Sequence, residues 1–217
     1  MKNYKLAIFD LDGTLLDTTA GVLKSIVYTI KELELPMLPI EKLKEFNGPP
    51  IYESFQNVYS LNDEQTKKAT ELFRAIYKDV YLFEATVYSG IYDVITTLKK
   101  RNIKLAIATN KRNDYAQKLL KYYKFTELFD YISGSDMDNK MKKADIVTKC
   151  LENFPKISKE ESVLIGDTVN DLVGAKKCGI DFIAVSYGFG FHTIEEALNN
   201  GAVDAVDDCN DLVRIIL

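Results

Sequence analysis

The sequence predicts an α/β fold, a Rossmann-like parallel sheet core with an all-helical domain inserted after its first strand. Short apolar segments alternate with stretches of helical spacing along most of the chain, which is the pattern of a parallel sheet covered by helices on both faces. Between about residues 18 and 83 only helical periodicity is left. With 217 residues, 47% of them hydrophobic, the chain is long enough to bury a core and carry an insertion.

Four segments are predicted to be buried strands, because each is rich in apolar residues and ends in polar or glycine-rich sequence. They are residues 6–9, 103–108, 162–165 and 181–185. Between the last three, apolar residues recur at helical spacing, as at Tyr115, Leu119 and Tyr122. Helices between successive strands favour a parallel arrangement, because the chain must cross over the sheet each time.

The inserted segment shows no convincing strand. One apolar stripe of helical spacing runs through residues 22–33 and another through residues 69–80, with prolines marking turns between them. We therefore predict a sheet core of residues 1–16 and 88–217 and a helical domain of residues 17–87. Gly90 would give hinge freedom near the second boundary.

Charge and cysteine content narrow the class of protein. Lys and Arg total 28 against 32 Asp and Glu, a formal net charge of -4, so neither a nucleic-acid polymer nor an anionic membrane is favoured as a partner. The three cysteines, Cys150, Cys178 and Cys209, have neither metal-ligand nor redox spacing. The apolar run near residue 8 is too short for a signal peptide, and no stretch has the length of a membrane span. We expect a cytoplasmic protein.

Acidic residues follow two of the predicted strands. Asp10 and Asp12 come directly after the first strand, and Asp167 and Asp171 come after the third. In open parallel sheets ligands bind beyond the carboxyl ends of the strands, so these four carboxylates should meet there. They would repel one another without a cation, and oxygen ligands favour a hard ion. We therefore predict a Mg²⁺ site formed by these four residues.

The same edge holds groups for phosphoryl transfer. Asp10 and Asp12 are one residue apart, so one carboxylate can attack phosphorus while its neighbour protonates the leaving oxygen and later deprotonates water. Gly13 permits a tight backbone that exposes N–H groups to an anion. Thr109 and Asn110 follow the second strand, and we predict all three as phosphate contacts. Thr109 and Asn110 also fit a simple strand end or a helix cap.

Three motifs in order along the chain, FDLDGTLLD, ATNK and GDTVNDLVGAKKCGI, resemble the haloacid dehalogenase-like superfamily. The resemblance extends over nearly the whole chain and implies that the helical insertion is that family's cap domain. It implies Asp10 as the nucleophile and Asp12 as the general acid and base. Thr109 matches the hydroxyl that binds the transferring phosphoryl group. Asp167 matches the acid that holds Mg²⁺ with Asp10 and the backbone carbonyl of Asp12, and Asp171 matches the supporting acid.

The family also uses a lysine between its second and third motifs, often followed by proline, to offset charge on the nucleophile and the phosphate. The corresponding stretch here, residues 138–145, contains no Lys-Pro pair. We select Lys143, because a variant family pattern places this lysine at the start of a helix. Lys140 and Lys142 stay open as alternatives.

Within the superfamily, LLDTTAGVLKSI and FNGPPIYESF resemble the phosphoglycolate phosphatase-like branch, in which a YGFG stretch such as residues 187–190 also recurs. The resemblance implies a Mg²⁺-dependent phosphatase acting on a small phosphorylated metabolite, phosphoglycolate or a similar monoester. We expect the protein to be a monomer or homodimer. A nucleoside monophosphatase, a pyrophosphatase and a β-phosphoglucomutase-like phosphomutase are alternatives. A regulatory protein that keeps the fold and only binds a phosphorylated ligand is the non-enzymatic alternative.

Overall fold

The protein is described by a computed structural model that covers residues 3–47, 49–137 and 140–217. Three residues of predicted loops therefore lie outside the described residues: Gly48 of the Gly-Pro-Pro stretch, and Asp138 and Asn139 of the lysine segment. The chain divides into two compact units. The first contains residues 1–17 and 87–217, and the second contains residues 18–86.

The first unit is built on a six-stranded sheet in the order β5-β4-β1-β6-β7-β8, while β2 and β3 form a separate two-stranded sheet. The strands are β1 (Leu6–Phe9), β2 (Leu16–Asp17), β3 (Thr86–Val87), β4 (Lys104–Arg112), β5 (Tyr131–Ser135), β6 (Ser162–Gly166), β7 (Asp181–Val185) and β8 (Asp204–Val206). All neighbours in the large sheet are parallel. The predicted parallel sheet is therefore confirmed.

The helices are α1 (Thr19–Glu32), α2 (Ile40–Lys44), α3 (Ile51–Tyr59), α4 (Asp63–Ile76), α5 (Ile91–Lys100), α6 (Asn113–Tyr122), α7 (Lys143–Glu152), α8 (Val169–Cys178), α9 (Ile194–Asn200) and α10 (Leu212–Ile216). A π-helical turn, Tyr77–Tyr81, follows α4, and a 3₁₀ turn, Cys209–Asp211, precedes α10. Among the described residues, none of these helices combines the length and apolar character that crossing a bilayer requires.

Strand β1 lies at the centre of the large sheet and is buried along its whole length. Its last residue, Phe9, is in register with Ile107 of β4 on one side and Ile165 of β6 on the other. The carboxyl ends of these three strands therefore reach the same edge of the sheet. This alignment, which follows from the parallel register, brings together residues that are more than 150 positions apart in the sequence.

Two strands of the large sheet were not predicted. β5 has the sequence Tyr-Ile-Ser-Gly-Ser and β8 is only three residues long, so neither has the apolar density that marks a buried strand. Both lie at the edges of the sheet, where fewer apolar neighbours are needed. The strand predicted at residues 103–108 also continues further, through a register shift between Thr109 and Arg112.

The second unit is helical, and residues 18–47 and 49–83 contain no strand, as predicted. Its interior contains a row of aromatic rings from α3, α4 and the segments next to them. Phe55 packs edge-on against Phe46, with ring centroids 5.1 Å apart, and against Phe73 at 6.5 Å. Phe73 in turn stacks on Tyr77 at 5.6 Å. Helix α4 begins at a capping box formed by Asn62 and Gln65, which satisfies the exposed N–H groups of its first turn.

Candidate active site

The chain turns sharply directly after β1, and this turn positions the first two acids. The N–H of Asp10 donates to the carbonyl of Ile165 at 2.9 Å, which continues the pairing with β6 for one more residue. Gly13 follows with φ at +81°, in the left-handed region that favours glycine. A Cβ atom at Gly13 would lie 2.2 Å from Oδ2 of Asp167, so only glycine lets this acid approach the turn.

Three of the predicted acids converge at the sheet edge. Asp10, Asp167 and Asp171 are buried, and one carboxylate oxygen from each lies within 4.8 Å of the others. The side chain of Asp12 is 23% exposed and points to Lys111 instead. An all-oxygen cluster of this kind matches the ligands that hard divalent cations prefer. The donor set therefore fits a metal ion held by the side chains of the three buried acids.

Lys143 is the lysine that joins this cluster. Its Nζ lies 2.8 Å from Oδ1 of Asp10 and 2.6 Å from Oδ1 of Asp171, and it donates to the carbonyl of Ala108 at 2.9 Å. The side chain is 2% exposed. Gly174 of α8 makes room for it, because a Cβ atom there would lie 2.4 Å from Cγ of Lys143.

The two other lysines considered from the sequence, Lys140 and Lys142, are exposed. Helix α7 begins at Lys143, as the choice of this lysine from the sequence required. The N–H of Lys142 donates to Asp145 at 2.8 Å, which caps the first turn of the helix. Because α7 begins at Lys143 and Asp145 caps its first turn, Lys143 rather than Lys140 or Lys142 points into the interior.

The buried charges perturb one another strongly. Burial raises the pKa of Asp10 to about 7, with Asp171 and Asp12 adding to the effect and Lys143 opposing it. Burial, followed by repulsion from Asp171 and Asp10, raises the pKa of Asp167 well above its ordinary value. Burial lowers the pKa of Lys143, but Asp10 and Asp171 outweigh burial and raise it. One ammonium therefore leaves the three carboxylates with excess negative charge, which a bound cation would offset.

Asp171 is held by the start of α8. Its Oδ2 accepts hydrogen bonds from the N–H of Thr168 at 3.0 Å and from the hydroxyl of Thr168 at 2.7 Å. The Thr168 hydroxyl oxygen also accepts from the N–H of Asp171 at 3.3 Å, which completes a capping box. One carboxylate oxygen is thereby fixed by the helix, so the other faces Lys143.

Thr109 and Asn110 lie within β4, and α6 begins only at Asn113, so neither residue caps that helix. Thr109 is buried, and its Oγ1 accepts the N–H of Lys111 at 3.1 Å. Because this oxygen is the acceptor, its own hydrogen can be donated to an anion at the sheet edge. The side-chain oxygen of Asn110 is buried without a hydrogen-bond partner among the described residues. The role of both residues in binding phosphate stays a prediction.

A glycine-rich segment after β7, residues 187–191, holds Asp167 and was not selected from the sequence as part of the site. The N–H of Phe189 donates to Oδ2 of Asp167 at 2.7 Å, and the N–H of Phe191 donates to its carbonyl at 2.8 Å. A Cβ atom at Gly188 would lie 2.4 Å from Cβ of Asp167, so glycine is required for this approach. The signal available in the sequence was the YGFG stretch directly after a strand.

Lys111 was also missed. Its Nζ lies 3.1 Å from Oδ1 of Asp12, and its side chain is 8% exposed. The signal was its position in the polar stretch that ends the second predicted strand, next to Thr109 and Asn110. The site therefore contains two lysines on different acids, Lys143 on Asp10 and Lys111 on Asp12.

Comparisons with known proteins find a nucleotidase and phosphatases among the proteins that this chain resembles. A 5'-nucleotidase of Pseudomonas aeruginosa is 29% identical over 86% of this chain and 85% of its own length. A phosphoglycolate phosphatase of Pseudomonas savastanoi is 26% identical over 96% of this chain and 78% of its own length. The crystal structure of a predicted phosphatase from Clostridium acetobutylicum superposes with a TM-score of 0.90 at 33% identity, covering 99% of this chain and 98% of that one.

The family model for haloacid dehalogenase-like hydrolases matches residues 7–185, a span that runs from the first strand to the end of β7. It therefore includes the acids after β1 and β6, the polar end of β4 and the buried lysine. This chain belongs to the haloacid dehalogenase-like hydrolase family.

Proposed function

We propose that this protein is a Mg²⁺-dependent, cytoplasmic phosphatase that hydrolyses a small phosphate monoester through a phosphorylated Asp10. The observation that carries the proposal is the environment of Asp10, a buried carboxylate held by the Lys143 ammonium at 2.8 Å and placed beside Asp167 and Asp171. The phosphatase and nucleotidase relatives support the same reaction class.

The first step forms a bond between a carboxylate oxygen of Asp10 and phosphorus while the bond from phosphorus to the leaving oxygen breaks. Asp12 gives its proton to that oxygen, so the leaving group departs as a neutral hydroxyl. In the second step Asp12 takes a proton from water, the water oxygen attacks phosphorus, and the bond to Asp10 breaks. Inorganic phosphate is released, and both aspartates return to their starting forms.

The other residues stabilise charge or position groups. The Lys143 ammonium fixes the orientation of Asp10 and offsets charge on the phosphoryl group. Thr109 donates its hydroxyl hydrogen to a phosphoryl oxygen, whereas the N–H of Gly13 donates to the carbonyl of Leu16 at 2.8 Å, so Gly13 contributes the tight turn rather than this donor. Asp10, Asp167, Asp171 and the backbone carbonyl of Asp12 would hold Mg²⁺. When bound, the ion supplies positive charge that offsets the charge of the transferring group.

Release of inorganic phosphate from p-nitrophenyl phosphate tests the reaction class. We expect release that depends on Mg²⁺ and stops with a chelator, because this substrate needs no specific contact with its leaving group. Phosphoglycolate, nucleoside monophosphates, pyrophosphate and sugar phosphates would then be compared as natural substrates. Isomerised sugar phosphate without free phosphate would instead indicate a phosphomutase, and no reaction on any substrate would contradict the proposal.

Binding of Mg²⁺ should also stabilise the folded protein in the absence of substrate. At a concentration about 100 times its dissociation constant, a ligand adds roughly 2.7 kcal/mol to the free energy of unfolding, which for a chain of this size raises the melting temperature by about 5–10 °C. Asp167→Asn should lose most of this increase, because it removes a carboxylate from the cluster. The exposed Asp207→Asn is the matched control and should keep it. Equal shifts in both variants, measured by thermal unfolding, would place the ion elsewhere.

A further inference from the structure

Lys111 is a charged residue at the site that the proposed reaction does not yet use. It lies on β4, two residues after Thr109, where the register shift turns the end of the strand. Its side chain is 8% exposed, and its Nζ lies 3.1 Å from Oδ1 of Asp12. Lysine is rarely buried to this degree without a specific anionic partner. Asp12 is that partner here, so the ammonium of Lys111 is held directly beside the proposed general acid.

The two lysines of the site contact different acids. Lys143 contacts Asp10 and Asp171, whereas Lys111 contacts Asp12. In an in-line displacement the attacking and the leaving oxygen lie on opposite sides of phosphorus. Asp10 supplies the attacking oxygen in the proposed reaction, and Asp12 protonates the leaving oxygen. Lys111 is therefore on the side of the leaving group, where it cannot replace Lys143.

An ammonium at this position can distinguish leaving groups by their charge. It has three N–H donors, so contact with Asp12 is compatible with contact to a second anion. A charge-assisted hydrogen bond is roughly twice as strong as one between neutral groups, and partial burial strengthens it further. A carboxylate or phosphate a few atoms from the leaving oxygen would come within reach of Nζ, whereas an uncharged leaving group would gain little.

We infer that Lys111 is a specificity-determining residue that binds an anionic group on the leaving part of the substrate. The inference rests on the proposed function and narrows its substrate class. The favoured substrates are phosphate esters whose leaving group carries a carboxylate or phosphate close to the bridging oxygen, as in phosphoglycolate. Nucleoside monophosphates, whose leaving nucleoside is uncharged, are disfavoured.

The test compares phosphoglycolate with its uncharged amide, which has the same shape, in Mg²⁺-loaded full-length protein. We expect the wild type to prefer the acid over the amide by about tenfold to a hundredfold in kcat/KM, the range of one hydrogen bond to a charged group. Lys111→Met should bring this ratio close to one, and Lys111→Arg should restore most of it. Lys104→Met, at the opposite end of β4, is the matched control and should keep the wild-type ratio.

The ratio of kcat/KM for the acid to kcat/KM for the amide shows whether Lys111 binds the leaving group or has only a structural role. If Lys111→Met lowers kcat/KM for the acid and the amide by the same factor, Lys111 only positions Asp12 and the inference is wrong. The inference also fails if the wild type shows no preference for the acid. Failure of the wild type to release phosphate from either substrate and from p-nitrophenyl phosphate would overturn the proposed function, and this inference with it.

Discussion

Asp10→Asn is expected to lower kcat by at least about a thousandfold while leaving the fold intact. An amide oxygen is a poor nucleophile toward phosphorus, so the covalent route is lost, and roughly 4 kcal/mol of transition-state stabilisation corresponds to such a change. The fold should persist because asparagine has nearly the same shape. The substitution also removes a buried carboxyl group whose pKa is raised to about 7, which relieves repulsion from its acidic neighbours.

Three measurements on the same preparations check this result. Phosphate release from p-nitrophenyl phosphate gives the loss in rate, thermal unfolding reports on the fold, and mass spectrometry of quenched reactions detects a phosphoryl group on the peptide that contains Asp10. Asp93→Asn, on the exposed surface of α5, is the matched control and should keep full activity. Substantial turnover by Asp10→Asn, or a phosphoryl group on a different peptide, would exclude Asp10 as the nucleophile.

Asp10 and Asp167 could be selected from the sequence because each one directly follows a strand. Asp10 comes after β1 and Asp167 after β6, and parallel strands present their carboxyl ends at one edge. Lys143 was harder to select, since three lysines lie close together and only the start of α7 separates them. Burial of Lys143 between α8 and the acids decides the geometry, and this packing is visible only in three dimensions.

The features missed by sequence reasoning act through different physical means. The segment at residues 187–191 holds Asp167 by two backbone N–H groups, and every residue except proline has such a group, so residue type alone gives no signal. Its glycines matter for the space that they leave empty. Lys111 has a distinctive side chain, but a lysine at the end of a strand is usually solvated, and its contact with Asp12 depends on the shift in β4.

The order of the strands in the large sheet is a further feature that the sequence does not predict. Alternating strands and helices predict a parallel sheet but not which strands are neighbours, and β1 lies between β4 and β6 although neither is adjacent to it in the sequence. The edge strands β5 and β8 were missed because hydrogen bonding to one neighbour, rather than apolar density, defines them. The site did not depend on either strand, because all of its acids follow β1 and β6.

Lys143→Met is expected to cause the largest loss of stability of any single change at the site. Removing one partner from a buried ion pair typically costs about 3–5 kcal/mol, because the charge that is left has no compensation. Here the ammonium contacts both Asp10 and Asp171, so its loss leaves the carboxylate cluster without its buried counterion. Activity should be lost as well, since Asp10 would no longer be held in position.

The free energy of unfolding should depend on pH, and the raised pKa of Asp10 sets the direction of this dependence. The pKa of Asp10 is raised to about 7 in the folded protein, against 3.8 as its ordinary value, so between these limits the folded state binds more protons than the unfolded state. Metal-free protein therefore gains stability as the pH falls from about 7 towards 4. Lys143→Met removes the charge that opposes the raised pKa of Asp10 and of Asp167, so the variant should gain more stability than the wild type over this window.

Urea unfolding of metal-free protein at about pH 7.5 and about pH 5.5 measures this difference, because the free energy of unfolding follows the protons bound in each state. The matched control is Lys142→Met, one residue earlier and exposed, which should lose little stability at either pH. Equal losses for the two variants at the higher pH, or a loss for Lys143→Met that does not shrink on acidification, would show that Lys143 contributes packing rather than charge. The buried ammonium would then not be what keeps the acids together.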